Sequence, residues 1–160
     1  MSERIGERLL ECVVIEDWID YNGHMNDAAY ALVFSRAGDA FMDDVGLDAA
    51  TRKATGWTLY TAQVMLHYFK EAKLGAPLSV RARVLEFDEK RVRLWMEMFE
   101  GEARLAATEQ LMLSVAAGVS GARVAPWRKK TLEALARLAA AEVGCEPPEL
   151  AGRGIILKRT

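Results

Sequence analysis

The stretch YALVFSRAGDAFMDDV, residues 30–45, decides the fold. Tyr30, Val33, Phe34, Ala37, Phe41 and Val45 recur in steps of three and four, so they form one apolar stripe along a helix. Asp39, Asp43 and Asp44 fall off that stripe, and Gly46 stands where the helix can end. On either side the texture is that of strands. Residues 9–15, LLECVVI, form an apolar run ahead of the helix. After a turn or short helix at residues 47–55, residues 57–69 are rich in aromatic and β-branched side chains and hold no Gly or Pro. Their length suits a central strand of a curved sheet. Residues 78–87, 91–99 and 103–117 follow as strands, joined by the turns Asp88-Glu89-Lys90 and Glu100-Gly101-Glu102. This order predicts an α+β fold, with an antiparallel sheet of about five strands packed on one long helix.

Beyond residue 126 a second amphipathic helix is expected, capped by Thr131, carried by Leu132, Leu135, Leu138 and Val143, and ended at Gly144. Pro147 and Pro148 bar its continuation. The expected division is residues 1–125 as the main domain and residues 126–160 as a helix and tail packed on it, on an outer face or toward a partner chain.

Composition narrows the function. The 160 residues are 51% hydrophobic with a net charge of −2, which fits one domain with its own core. That charge offers no global attraction to nucleic acid or to an anionic membrane. Cys12 and Cys145 are too few for a disulfide framework, and the lack of a His/Cys cluster argues against a structural zinc. Residues 1–11 are rich in charge and lack the apolar core of a signal peptide, and no uncharged stretch is long enough to span a membrane. A cytoplasmic protein is expected.

The chemistry concentrates in DYNGHMN, residues 20–26, between the first strand and the long helix. Polar clusters on loops held by rigid elements are where catalytic groups gather. Asn26 can cap the helix, and Asp27 places an acid in its first turn. The free N–H groups of the helix start, residues 24–28, then point back at the loop carrying Asp20. A carboxylate able to activate water would lie beside donors able to hold an oxyanion. The same residue types also make ordinary turns.

The ordered pattern Asp-x-x-Gly-His-x-Asn-x-x-x-Tyr, from Asp20 through Gly23, His24 and Asn26 to Tyr30, resembles the signature of the hot-dog-fold acyl-CoA thioesterases. That broad group includes 4-hydroxybenzoyl-CoA thioesterase. The resemblance implies a sheet that wraps the helix, with Asp20 as the catalytic carboxylate, acting on water or attacking directly to form an anhydride. It favours residues 23–26 as the carbonyl-binding segment, with Asn22 or Asn26 adding a side-chain donor. Plant acyl-ACP thioesterases carry a similar His-Val-Asn-Asn run, in which Asp27 here replaces the second Asn. His24 either touches the carbonyl or braces the loop, and His67 reads as a core or interface residue. In some relatives an acid from the sheet assists from the neighbouring subunit; Glu109, in the polar interruption Thr108-Glu109-Gln110, is the candidate, with Gln63 another. For the phosphates of coenzyme A the basic candidates are Arg81, Arg83, Arg91, Arg93, Arg123, Arg128, Lys129 and Lys130.

The wording of Asp17-Trp18-Ile19-Asp20, Gly56-Trp57-Thr58-Leu59-Tyr60 and Ala107-Thr108-Glu109-Gln110 looks like the betainyl-CoA thioesterase subgroup of carnitine breakdown, some members of which are fused to carnitine dehydrogenases. That resemblance implies a trimethylammonio-acetyl substrate, with glycine betaine and CoA as products. Aromatic faces attract such a cation. Trp18, Tyr21, Trp57 and Tyr60 are the candidate rings, and Tyr30 and Gln63 complete the candidate substrate-binding set. No metal and no cofactor are expected, coenzyme A being part of the substrate. The partners expected are the acyl-CoA and a second or further copies of the chain, as a homodimer or homotetramer, because an open sheet edge invites pairing. A hot-dog hydratase or dehydratase and a non-catalytic acyl-CoA-binding domain are the competing readings.

Overall fold

The computed structural model describes residues 7–155. Strand β1 (Glu7–Val13) leads through one 3-10 turn (Glu16–Trp18) to helix α1 (Asp27–Asp44) and short helix α2 (Ala49–Thr55). Four long strands follow: β2 (Trp57–Tyr68), β3 (Pro77–Phe87), β4 (Arg91–Glu100) and β5 (Ala103–Ala116). A two-residue strand β6 (Arg123–Val124) and helix α3 (Lys129–Ala141) complete the order. All strand pairs are antiparallel, and the sheet runs β1-β3-β4-β5-β2, with β6 on the end of β5. The α+β class and the sheet curled on α1 are those the resemblance implies.

Helix and sheet meet as their periodicities dictate. The stripe of α1 is buried at Tyr30, Val33, Phe34, Ala37 and Phe41. In β4, Val92, Leu94, Met96 and Met98 are all fully buried against it. Each such side chain contributes about 1.5–3 kcal/mol of burial. The alternate residues Arg93, Trp95 and Glu97 take the outer face of the sheet.

Three details depart from the sequence reading. First, β2 is an edge strand, not a central one: its sole strand partner among the described residues is β5, and its middle, residues 60–64, is exposed. Period-two alternation reports faces and not neighbours, so strand order was not readable from it. Second, Thr131 is buried and does not cap α3; the helix starts at Lys129 after Arg128, which makes no side-chain capping bond. Third, α3 ends at Ala141, before Gly144, and Val143 and Leu132 are exposed while Leu135 is buried.

After α3 the segment from Glu142 to Gly152 stays bonded to the sheet. Glu142 takes the Arg83 Nε hydrogen bond at 2.6 Å, and the carbonyl of Glu146 accepts from Arg83 Nη2 at 3.0 Å. Further on, the N–H of Gly152 donates to Glu109 Oε2 at 2.6 Å. Arg83, Trp95 and Glu109 are cross-strand neighbours on the outer face. The tail is thus bonded on both sides of Trp95, which is 1% exposed.

Candidate active site

Residues 20–24 form a tight turn closed by the bridge between Ile19 and Met25. The N–H of Asp20 donates to the His24 carbonyl at 3.0 Å, and the N–H of Gly23 donates to the Asp20 carbonyl at 3.0 Å. Gly23 has φ of 80°, the left-handed conformation that disfavours a side chain. The loop is pinned at its exit as well. Asn26 N–H donates to the Trp18 carbonyl and Met25 N–H to the Ala72 carbonyl, each at 2.8 Å.

Asp20 sits at the mouth of this turn, partly exposed. Its Oδ1 accepts the Asn22 N–H at 2.8 Å, and its Oδ2 lies 3.5 Å from Asn26 Nδ2. Asn26 Oδ1 in turn accepts the Ala28 N–H at 2.9 Å, so it caps α1 as its residue type allows. The expected donors at residues 24–28 are therefore partly engaged. Met25, Asn26 and Ala28 N–H groups all have acceptors, which leaves those of His24 and Asp27 without one among the described residues. The Asp27 N–H belongs to the first turn of α1, at the positive end of the helix dipole.

The opposite wall comes from the end of β2 and the loop after it. Tyr68, Phe69, Lys70 and Glu71 face the Asp20 loop across a cleft of about 480 Å³. Tyr30 ties the two walls together. Its hydroxyl donates to the Lys70 carbonyl at 3.1 Å and accepts the Ala72 N–H at 2.9 Å. Tyr68 packs edge-on to Tyr30 with ring centres 5.4 Å apart, and its hydroxyl donates to the Asp27 carbonyl at 3.2 Å. His24 Nε2 is 3.3 Å from Glu71 Oε1. Burial pushes the Tyr30 phenol above its ordinary range, the Ala72 N–H works against this, and the charge of Glu71 adds to it. Burial does the same for Tyr68, reinforced by the charge of Asp27 and by Tyr30.

Of the residues expected in the site, the cleft brings together Asp20, Tyr21, Asn22, His24, Asn26 and Tyr30, with Gly23 forming the turn between them. The others lie elsewhere in the same chain. Trp18 is buried, with the Arg36 guanidinium 5.4 Å over its ring. Trp57 donates its Nε1–H to the Pro126 carbonyl and carries Arg128 at 5.9 Å over its ring. Tyr60 is eight residues from Tyr68 along β2, which at ~3.3 Å per residue is ~26 Å. Gln63 and Glu109 line the outer face, away from Asp20. Burial works to raise the Glu109 carboxyl, but Arg93 at 2.8 Å and the Gly152 N–H bring it net below the ordinary range. Its partners make it an anchor of the tail within this chain.

The basic candidates divide similarly. Arg83 and Arg93 are engaged with Glu142 and with Glu86 and Glu109, and Arg91 with Asp88. Lys130 lies against Gly46, beyond the far end of α1. His67 is on the outer face, its ring centre 6.1 Å from that of Trp95. Sequence reasoning missed Tyr68 and Glu71 as site residues. They looked like strand and loop, and only the packing of β2 on α1 turns them toward Asp20.

Comparison with known proteins gives a consistent picture. The family described as the thioesterase-like superfamily matches residues 13–135. A betainyl-CoA thioesterase of Pseudomonas aeruginosa is 40% identical over 148 residues, covering 91% of each chain. An L-carnitine dehydrogenase/betainyl-CoA thioesterase of Agrobacterium fabrum is 37% identical over 92% of this chain, which spans 30% of that longer protein. Among solved structures, a candidate thioesterase of Pseudomonas putida superposes with a TM-score of 0.80 at 34% identity, over 97% of this chain and 99% of that one. A Staphylococcus aureus protein solved in complex with CoA shares the fold, with a TM-score of 0.87 at 22% identity over 99% of this chain and 100% of that one.

Proposed function

We propose that this chain, which belongs to the thioesterase-like superfamily, hydrolyses betainyl-CoA to glycine betaine and coenzyme A. Thioester hydrolysis of an acyl-CoA is the activity of its relatives, and one observation supports placing it at Asp20. The carboxylate is held by Asn22 N–H and faces the Asn26 amide at the start of α1, and the N–H groups of His24 and Asp27 have no acceptor among the described residues.

The thioester carbonyl oxygen would lie against those two N–H groups. Asp20 Oδ2 would take a proton from water as the water oxygen bonds to the carbonyl carbon. Collapse of the tetrahedral intermediate breaks the C–S bond, and the thiolate leaves and is protonated. Direct attack by Asp20, with hydrolysis of the resulting anhydride, uses the same placement. His24, whose carbonyl closes the turn, braces the loop in either route. No cofactor is required, since coenzyme A enters as part of the substrate. A cytoplasmic acyl-CoA pool is the fitting source.

The reading includes a second copy. The residues expected to form one site are divided between the two ends of β2, whose free edge is twelve residues long. Two such edges paired antiparallel about a twofold axis would bring Trp57 and Tyr60 of one copy toward the Asp20 loop of the other.

The test is Asp20→Asn in a thiol-release assay on betainyl-CoA. Turnover is expected to fall about 10²- to 10⁴-fold with the circular dichroism spectrum unchanged. Near-wild-type turnover by the folded variant would remove Asp20 from the mechanism.

A further inference from the structure

A trimethylammonio-acetyl group is short. Its carbonyl carbon and its nitrogen are two bonds apart, so whatever recognises the cation must adjoin the group that attacks the carbonyl. Within one chain this excludes Tyr60, at ~26 Å from the cleft along β2. The rings near Asp20 are Tyr21, Tyr30, Tyr68 and Phe69. Three facts separate them. Phe69 already carries the Arg104 guanidinium 4.5 Å over its face. Tyr30 is 3% exposed and its hydroxyl is committed at both lone pair and proton. Tyr21 is 97% exposed, so a cation beside it would keep its water.

Tyr68 is different on each count. It is half-exposed to the cleft, no guanidinium covers it among the described residues, and its ring is fixed by the Tyr30 contact and by the hydrogen bond to the Asp27 carbonyl. A ring fixed before the ligand arrives loses no rotamer freedom on binding. Carboxylates share the cleft with it, beside Lys70 and His24. Asp27 and Glu71 line the same cleft; burial raises both phenols, and the charge of Asp27 adds to this at Tyr68 and that of Glu71 at Tyr30.

We infer that Tyr68 and Glu71 form the subsite that selects a quaternary ammonium acyl group, the ring supplying its face and the carboxylate its charge. The inference rests on the betainyl-CoA reading above and names the specificity-determining residues for it.

The experiment compares kcat/KM for betainyl-CoA with that for 3,3-dimethylbutyryl-CoA, its uncharged isostere, in the wild-type protein and in Tyr68→Leu, Tyr68→Phe and Glu71→Gln. The quantity read is the charged-to-neutral ratio, which is insensitive to any loss common to both substrates. A wild-type ratio well above one is expected. Tyr68→Leu and Glu71→Gln should each lower it by roughly 2- to 30-fold, whereas Tyr68→Phe, which keeps the ring and its Tyr30 contact but not the bond to Asp27, should lower it less than Tyr68→Leu does. A wild-type ratio near one would overturn the subsite and leave thioester hydrolysis standing. An unchanged ratio in both Tyr68→Leu and Glu71→Gln would place recognition elsewhere. Failure to cleave either thioester, with turnover of another acyl-CoA, would overturn the betainyl-CoA reading and the subsite with it.

Discussion

Asn26 serves two partners with one side chain. Its Oδ1 caps α1 through the Ala28 N–H, and this orients Nδ2 toward Asp20. The two roles come apart under substitution. Asn26→Ala should lower stability by about 0.5–2 kcal/mol, read from urea unfolding. Asn26→Asp should keep the cap but set a second carboxylate beside Asp20, where like charges disfavour ionisation. Its stability should stay near wild type while thiol release drops; retained turnover in Asn26→Asp would show that the amide does nothing for Asp20. Residues 20–26 were legible because the turn, the cap and the carboxylate are consecutive, and local chemistry fixes local shape. Tyr68 and Glu71 were not, since they lie about fifty residues along the chain from Asp20 and reach it only through packing between elements. Trp57 and Tyr60 were assigned to the site on ring type, on their place at the opening of the long strand and on the likeness of residues 56–60 to the betainyl-CoA thioesterase subgroup, none of which says which end of that strand adjoins Asp20.

Elements divide in the same way. The stripe on α1 and the alternation in β4 are properties of single segments, and each appears in the fold where its period puts it. The edge position of β2 and the path of the tail depend on contacts between segments, so no period encodes them. The turn joining β3 to β4 offers a test at this scale. Asp88 Oδ1 accepts the N–H groups of Lys90 and Arg91, and Oδ2 accepts Arg91 Nε at 2.6 Å. The Arg91 hydrogen bond, then that of Lys90, holds the Asp88 carboxyl at about 2, below its ordinary 3.8. A carboxyl depressed in the folded state stabilises above its unfolded value, and that contribution is lost as pH falls through the folded value. Stability should therefore decline between roughly pH 4 and pH 2, and Asp88→Asn should decline less steeply over that window. Urea midpoints measured across those pH values decide it; parallel curves for the two proteins would remove Asp88 as a contributor.

For the whole molecule the two faces and two edges of the sheet have unequal fates. The inner face is covered by α1 and the outer face is crossed by the chain's own tail, bonded at Arg83 and Glu109. The edge of β2 stays open and carries exposed Tyr60, Val64 and Tyr68. Association through that edge should give a particle of twice 17.8 kDa, and sedimentation at micromolar concentration is the measurement. A monomer alone would contradict it, and would leave Trp57 and Tyr60 without any route to a site. The strand order has another consequence, for the chain as it is made. Among the described residues β1 pairs only with β3, and β2 only with β5. On a ribosome, residues 7–68 emerge with no strand to pair with, and the last long partner is complete only at Ala116. The loop bearing Asp20 is thus translated well before β5, the strand that supports its opposite wall and the last long one to arrive. Between the synthesis of Glu71 and that of Ala116 the nascent chain carries every residue of the cleft without the sheet that gives it shape.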